Sequence, residues 1–379
     1  MRRFILCLTV LGSFAWVSGT QAAVLAEDRA DALYHRYDGG GVTIDGPSLL
    51  VRKKVAKSVS VSANYYVDSI SSASIDVVTT ASPYSEKRTE MSVGADYLYD
   101  STIFSAGYKN SDESDYTANS AYFGISQDLF GALTNISMGY SRGWDDVGRN
   151  GDSAFSEDVE RHGYRLGISQ IVTRNLLLGM TLETITDEGF LNNPYRSVRY
   201  LDSESEKGYS YQSEIYPKTR TSTAVSVRGR YRLPYRAAVH TEYRYFDDTW
   251  GVGAHTAELG YTQPVWGRWM LDLSYRFYTQ TAADFYSDLF SRENAQNYMA
   301  RDKELSDFDS YTLGVGLSYE ILPDGWRFFD KGNLSLKYNY IYFDYDNFRD
   351  LRDDGDAPGQ EPLYNFSANV LQFFFSVWF

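Results

Sequence analysis

The sequence predicts an all-β protein that crosses a Gram-negative outer membrane as an antiparallel transmembrane β-barrel. Three features lead to this prediction: an N-terminal segment with the layout of an export signal, stretches of about ten residues that alternate apolar and polar side chains, and an aromatic ending on an apolar strand face. A soluble β-sandwich also alternates in this way, but it requires neither the export segment nor the regular exchange of short turns and long loops.

The first 22 residues have the three parts of a cleaved secretory signal. Arg2 and Arg3 precede an apolar run over residues 4–17, and small side chains follow up to Ala22 and Ala23, after either of which cleavage is expected. The apolar run is shorter than the roughly 20 residues that a membrane-spanning helix needs. Residues 23–379 are therefore expected to form a single barrel domain.

Composition narrows the functions open to the mature chain. The only cysteine, Cys7, lies within the export segment, which leaves no thiol for disulfides or metal thiolates, and no cofactor is expected. A net charge of −14 disfavours nucleic acid as a partner. The 33 tyrosines, 21 phenylalanines and 7 tryptophans suit aromatic girdles at the two membrane interfaces.

The predicted strands follow one another from a weak first element near residues 32–37. In the clearest strand, 133–144, Ile136 and Met138 share one face while small polar residues occupy the other. At 269–277 the outward face is apolar and charged residues point inward, which indicates a wet lumen. The other strands are expected near 46–55, 58–70, 88–99, 102–111, 116–128, 159–171, 176–186, 220–231, 236–246, 251–263, 310–319, 334–342 and 371–379.

Short and long connections alternate along the chain. Short links such as 100–101 and 173–175 alternate with long polar segments. This asymmetry is typical of outer-membrane barrels, which have short periplasmic turns and long extracellular loops. With both chain ends in the periplasm the strand number is even, and about sixteen strands are expected. Fourteen is the alternative, because the glycines at 39–41 are expected to make the first hairpin irregular. The long segments are 71–87, 145–158, 187–219, 280–307 and 345–365.

The last strand carries an expected assembly signal. Phe379 ends the chain, and the side chains that share its strand face are apolar: Leu371, Phe373, Phe375 and Val377. Such an ending is typical of the strand that the outer-membrane barrel assembly machinery recognises. This machinery, outer-membrane lipid and lipopolysaccharide are therefore the expected partners, with small solutes and further copies of the chain as additional candidates.

Four stretches of the chain are long enough to be specific. Residues 37–44 (YDGGGVTI), 60–68 (SVSANYYVD), 189–200 (GFLNNPYRSVRY) and 375–379 (FSVWF) resemble the domain-of-unknown-function family 3570, a group of uncharacterised proteobacterial proteins. The resemblance extends over nearly all of the mature length. It implies an outer-membrane barrel and brings no established activity with it.

Inward-facing charged side chains form the first group of candidate site residues. They are expected on one lumen wall and a nearby strand: Arg228, Arg230, His240, Glu242, Arg244, Asp272 and Arg276. Cross-strand neighbours of this kind lie within reach of one another. They either set a transverse field that selects ions by charge and size, or pair with one another and fill the barrel.

Two long loops form the second group. Loop 187–219 holds Tyr195, Arg196 and Arg199 in an Asn-, Pro- and Tyr-rich setting, so it is expected to fold into the mouth as a constriction or plug, with a solvated external loop as the alternative. In loop 280–307, the spacing from Phe285 to Phe290 suggests a short helix that acts as an amphipathic cap.

The acidic segment near the last hairpin gives only weak metal candidates, which are Asp353, Asp354 and Asp356. It lacks the spacing of a calcium-binding EF-hand, and a solvated loop bridged to lipopolysaccharide by divalent ions is the favoured interpretation. No catalytic cluster is found, so an enzyme is not expected. The leading functional hypothesis is a porin-like channel for small solutes. A non-conducting structural, binding or export-accessory barrel with a filled lumen is the alternative, and an outer-membrane enzyme is a remote third.

Overall fold

The computed structural model of the protein describes residues 23–72, 84–352 and 356–379. The expected export signal, 1–22, and two of the acidic metal candidates, Asp353 and Asp354, lie outside the described residues. In the described part no helix is long or apolar enough to cross a membrane. The one helical element found there is a single 3-10 turn, Lys303–Leu305.

Sixteen strands of the described residues close into one antiparallel barrel, and two more form a small separate sheet. The barrel strands are β1 (Arg29–Gly39), β2 (Val42–Ala56), β3 (Val59–Ser72), β4 (Tyr84–Tyr99), β5 (Thr102–Asp112), β6 (Tyr116–Leu129), β7 (Thr134–Gly148), β8 (Ser156–Thr173), β9 (Leu176–Gly189), β12 (Thr219–Arg232), β13 (Ala238–Asp248), β14 (Gly253–Pro264), β15 (Trp269–Gln280), β16 (Phe308–Glu320), β17 (Lys331–Arg349) and β18 (Leu363–Trp378). The small sheet pairs β10 (Ser197–Leu201) with β11 (Tyr209–Ser213).

The barrel closes where β1 pairs with β18 in a continuous register from Arg29 opposite Trp378 to Gly39 opposite Ala368. Between β9 and β12 the chain leaves the barrel, forms the β10–β11 sheet and returns to pair β12 directly with β9. The prediction of sixteen antiparallel strands is confirmed, and the alternative of fourteen is wrong.

The first hairpin is tight, contrary to the expectation that its glycines would make it irregular. Gly39 pairs with Val42, so only Gly40 and Gly41 form the turn, with φ of 60° and 76°. A two-residue turn whose backbone twist matches the strands needs positive φ at both positions, which glycine adopts at no steric cost. The glycine run therefore favours the first hairpin and with it the even strand count.

The two ends of the barrel differ. One end, here called the turn end, has short connections such as 57–58, 100–101 and 174–175, and the start of β1 and the end of β18 lie there. The other, the loop end, carries the long connections 190–218 and 281–307. The expected helix near Phe285 is wrong: the described residues of that loop instead form isolated bridges, with Tyr286 opposite Ala300 and Phe290 opposite Tyr200.

The outer face of the barrel is an apolar band between aromatic side chains. On β16, Leu313 and Val315 are 59% and 50% exposed, and Tyr311 and Tyr319 flank the band. These tyrosines are eight positions apart, which is about 26 Å along a strand and about 20 Å across a membrane once tilt is included. The pair therefore brackets most of the apolar band of about 25 Å that outer-membrane barrels carry.

The expected outward-facing apolar side chains of the last strand are found for only part of its length. Leu371, Phe373 and Phe375 project outward and are exposed, whereas Val377 is buried. The ring of Phe379 lies 4.7 Å from Lys53 Nζ, and its backbone N–H donates to Asp28 O at 3.2 Å. The recognition of this strand by an assembly machinery stays a prediction.

A closed barrel has no free strand edge at which unfolding can begin. We therefore expect the protein to migrate differently on a denaturing gel before and after heating, and to fractionate with outer membranes. A soluble periplasmic protein whose migration is unchanged by heating would contradict the closed membrane barrel.

Candidate functional site

A row of charged side chains crosses one lumen wall. Arg228, Glu242, Glu258 and Arg276 lie directly opposite one another on β12, β13, β14 and β15. Both carboxylate oxygens of Glu242 accept from the Arg228 guanidinium, at 2.8 and 3.0 Å. The Arg228 side chain is nevertheless 52% exposed, although it points into the barrel. An exposed charge at an inward position indicates a lumen wide enough to hold water.

The neighbouring rows complete this wall. Arg230 pairs with His240 across β12 and β13, and the His240 ring covers Gly260 so closely that a Cβ there would collide with it. Arg244 lies 3.6 Å from the carboxylate of Glu183, which also pairs with Arg165 at 3.3 Å. The structure thus brings the predicted group of arginines together and surrounds it with carboxylates.

Asp272 and Lys337 lie on either side of Gly316, on the strands that flank β16. A Cβ at Gly316 would lie 3.2 Å from Asp272 Cβ and 3.4 Å from Lys337 Cγ, so both side chains lean over the glycine. Asp272 also accepts from Thr262 Oγ1 at 2.6 Å. Asp272 and Arg276 therefore belong to the same charged wall as Arg228.

The opposite wall carries its own ion pairs. Asp96 accepts from Arg52 Nη1 and from Ser105 Oγ, both at 2.6 Å, and Lys109 lies 3.4 Å from Glu90. The inward-facing charges therefore pair with one another on both walls, and several of these paired side chains are still exposed inside the barrel.

The two long loops at the loop end pack into one body, which we call the cap and define as residues 190–218 and 281–307. Tyr200 forms a bridge with Phe290, and Ile215 forms a bridge with Met299. Val198 and Met299 are completely buried within it. A loop with its own buried core is ordered by packing and is not a solvated tether.

The cap touches opposite walls of the barrel. On one side it packs against the inward-facing Val147 of β7 and Val159 of β8. On the other side Tyr286 packs against the inward-facing aromatic cluster that includes Phe343 of β17, and its hydroxyl donates to Asn347 O at 3.1 Å. β7 and β17 are eight places apart in the ring of sixteen strands, so the cap reaches across the mouth.

Arg199 is the central charge of the cap. Its side chain is completely buried, and it forms ion pairs with Asp288 in the cap and Glu361 in the β17–β18 loop. Its Nε also donates to Asp288 O at 3.0 Å. Arg301 shares the same partner, with Nη2 2.9 Å from Asp288 Oδ1. Although burial raises the pKa of Glu361, the Arg199 guanidinium holds it below its usual value.

The other predicted loop residues are also structural ties. Arg196 pairs with the buried Asp302. The Tyr195 hydroxyl donates to Asp115 and accepts from the Asn150 N–H, both at 2.5 Å, which joins the cap to two neighbouring loops. The expectation that Arg196 and Arg199 line the solute path is corrected: their guanidinium groups hold the cap together, because each faces a buried carboxylate.

Glu214 lies buried where the two halves of the cap meet. It accepts from Arg301 N–H at 2.7 Å and from the Tyr216 hydroxyl at 2.6 Å. Burial and the neighbouring Asp302 carboxylate raise the pKa of Glu214 to about 7, against the lowering effect of Arg196 and the two hydrogen bonds. This carboxyl group therefore titrates near neutral pH.

Asp288, Arg301, Glu214 and Glu361 were not predicted from the sequence. Arg199 is 89 residues from Asp288 and 162 residues from Glu361, so no local spacing could reveal these pairs. Within the described residues no group of three or more His, Cys, Asp or Glu side chains is arranged to hold a metal ion. Asp356 is described and belongs to no such group.

The fold and the charged lumen define the class of protein. The chain has the fold of outer-membrane β-barrels. It is similar to a bacterial polysaccharide outer membrane secretin at 9% identity, with 93% of this chain and 99% of that chain covered and a TM-score of 0.50.

The chain is also similar to the siderophore receptor PirA from Pseudomonas aeruginosa at 11% identity, with 93% of this chain and 63% of that chain covered and a TM-score of 0.44. It is similar to OmpT of Vibrio cholerae at 11% identity, with 94% of this chain and 100% of that chain covered and a TM-score of 0.43. These likenesses concern the fold alone.

The family assignment is specific. The profile of the family described as protein of unknown function (DUF3570) matches residues 142–340, more than half of the chain. The chain belongs to this family, as its sequence resemblance predicts. No curated protein matches the chain.

Replacing Arg199 by alanine should loosen the cap. The substitution leaves Asp288 and Glu361 without their shared guanidinium, and removing one partner of a buried ion pair costs about 3–5 kcal/mol. Limited digestion with proteinase K should then cut within 190–218 and 281–307 at a faster rate. The control is Arg292→Ala, which removes an exposed arginine of the same loop. Equal digestion of both variants would contradict the role of Arg199.

Cap stability should depend on pH through Glu214. Because docking raises this pKa from 4.5 to about 7, the docked cap binds the proton more tightly. The contribution of Glu214 to cap stability is fully present below about pH 4.5 and is lost as pH rises through 7. Digestion of the cap should therefore be faster at pH 8 than at pH 5. Glu214→Gln should flatten this dependence, and the exposed Glu293→Gln should preserve it. A pH profile unchanged by Glu214→Gln would exclude this carboxyl as the cause.

Proposed function

We propose that the protein is an outer-membrane channel for small solutes, with the cap as a constriction at the extracellular end. The observation that carries the proposal is the exposure of inward-pointing charges such as Arg228 and Arg165, 52% and 46%, within a sixteen-strand barrel. Barrels of 16 to 18 strands enclose an aqueous passage, whereas small barrels are filled by side chains. The turn end faces the periplasm and the loop end the exterior, as in other outer-membrane barrels.

The lumen favours anions on this proposal. Arg230, Arg276 and Lys337 face the lumen, and among the described residues none of them has a carboxylate within ion-pair distance. The lumen carboxylates Glu183, Glu242 and Asp96 each pair with an arginine. Glu258 and Asp272 on the same wall have no lysine or arginine partner among the described residues, so three unpaired cations face two unpaired carboxylates. The uncompensated lumen charge on the β12–β17 wall is therefore only slightly positive, although the whole chain carries −14.

The second candidate is a non-conducting barrel whose cap seals the mouth and whose lumen is a structural support. The observation that favours it is the buried core of the cap, anchored on opposite walls. On either candidate the function requires no catalytic residue, and we assign none. The proposed partners are lipid, lipopolysaccharide, the barrel assembly machinery and further copies of the chain.

Replacement of Arg230, Arg276 and Lys337 by serine should reduce anion preference. We expect the purified wild-type protein to form channels in planar bilayers whose reversal potential in a KCl gradient indicates preference for chloride. Removing three lumen cations should shift that potential toward potassium selectivity, because fixed charges in a confined passage exclude ions of like sign.

The matched control is Arg142→Ser, which removes an arginine from the outer face of β7. A shift in the control equal to that of the triple variant would remove the lumen wall as the source of selectivity. No conductance in the wild type, and none after the cap is loosened by Arg199→Ala, would favour the non-conducting barrel.

A further inference from the structure

A cavity of about 330 Å³ opens at the loop end where three connections meet. Residues from the end of the β9–β12 connection, from the β13–β14 turn and from the β15–β16 loop surround it. The side chains that define its chemistry are Trp250, Phe285, Tyr298, Asp284, Gln296 and Asn297. Its volume is at the lower end of the range of small-molecule sites, about 300–1,000 Å³.

The aromatic side of the cavity is held rigidly. Trp250 and Phe285 are buried in the cap core, with ring centroids 5.2 Å apart in an edge-to-face arrangement. Trp250 Nε1–H donates to Thr219 O at 2.9 Å, and the Arg220 guanidinium lies 4.6 Å from its ring. Tyr298 packs beside Phe285 at 6.4 Å and is 45% exposed, so its ring is open to a ligand.

The polar side of the cavity has unused hydrogen-bonding capacity. In the described part of the chain, no side-chain hydrogen bond or ion pair is made by Asp284, Gln296 or Asn297, and all three are exposed. The Asp284 backbone is nevertheless fixed, because its N–H donates to Trp250 O at 2.8 Å. At Gly251, whose φ is 87°, a side chain would collide with the Asp284 carboxylate. The glycine thus keeps the carboxylate accessible.

Charge limits the class of ligand. The cavity is lined by one carboxylate and by no lysine or arginine, so an anionic ligand would meet repulsion without compensation. Two amides and a carboxylate offer both donors and acceptors to hydroxyl groups. An exposed tyrosine ring offers an apolar face to the C–H side of a sugar ring.

We propose that this cavity binds a neutral saccharide of one or two sugar rings, stacked on Tyr298 and hydrogen-bonded by Asp284, Gln296 and Asn297. The site lies at the loop end, and none of its lining residues belongs to the charged lumen wall. Binding there is independent of whether the barrel conducts, so this proposal and the channel proposal can fail separately.

The test is a titration of the purified full-length protein in detergent with the neutral disaccharides maltose, lactose, sucrose and N,N′-diacetylchitobiose. Binding is followed by tryptophan fluorescence and by saturation-transfer NMR. At least one of these sugars should bind saturably. Tyr298→Ala and Asn297→Ala should each weaken it by about tenfold or more, which corresponds to the loss of one stacking or hydrogen-bonding contact.

Two controls separate the cavity from general effects. Tyr235→Ala removes an exposed tyrosine at the turn end, and Glu293→Gln neutralises an exposed carboxylate outside the cavity; both should bind as the wild type does. Absence of saturable binding by every sugar in the panel would overturn the proposal. So would an equal loss of binding in the controls. Putrescine is the cationic probe: if it binds, its binding is lost in Asp284→Asn and no sugar of the panel binds, the cavity is an amine site and the saccharide assignment is wrong.

Discussion

The closure of the sheet is the constraint on which the rest of the structure depends. In a bilayer every backbone N–H and C=O must find a partner within the protein, and a closed antiparallel barrel achieves this by pairing β1 with β18. Closure also fixes the direction in which each side chain points. Once the pairing register of the strands is set, alternate side chains along every strand face the lipid or the lumen. The charged wall on β12 to β15 exists because Arg228, Glu242, Glu258 and Arg276 occupy inward positions in the same row.

The cap is stabilised by buried ion pairs, whereas the barrel is stabilised by the pairing of its strands. Apart from the β1–β18 and β9–β12 pairs, barrel strands pair with their sequence neighbours, whereas the cap joins residues far apart in the chain through buried charges. Arg199 and Arg301 converge on Asp288, and Glu361 comes from the last loop to meet Arg199. Buried ion pairs contribute little net stability over apolar contacts, but breaking one is costly, so they favour a single arrangement over alternatives. The cap is therefore well suited to holding one fixed position across the mouth.

The fold was largely predictable from sequence, and the cap chemistry was not. Alternation along residues such as Ile136 and Met138 has a period of two and can be read locally, and the glycines at 40 and 41 specify a tight hairpin. The inward positions of Arg228 and Asp272 follow from the same alternation. The roles of Arg196 and Arg199 depend on partners in other loops, which local pattern does not encode. Met299 likewise acquires its place only when the two loops pack together, and Tyr286 only when its loop packs against the aromatic cluster of β17 and β18.

The central claim is that the lumen is an aqueous passage that the cap narrows from the loop end. The most direct measurement is the rate at which a membrane-impermeant, anionic thiosulfonate reagent, added outside intact cells, modifies a cysteine introduced at Arg230. Cys7 is the only native cysteine and lies within the expected export signal, so the background should be low. We expect slow modification beneath the intact cap and a marked increase when Arg199→Ala is added. No modification in either background, or equal rates in both, would contradict it.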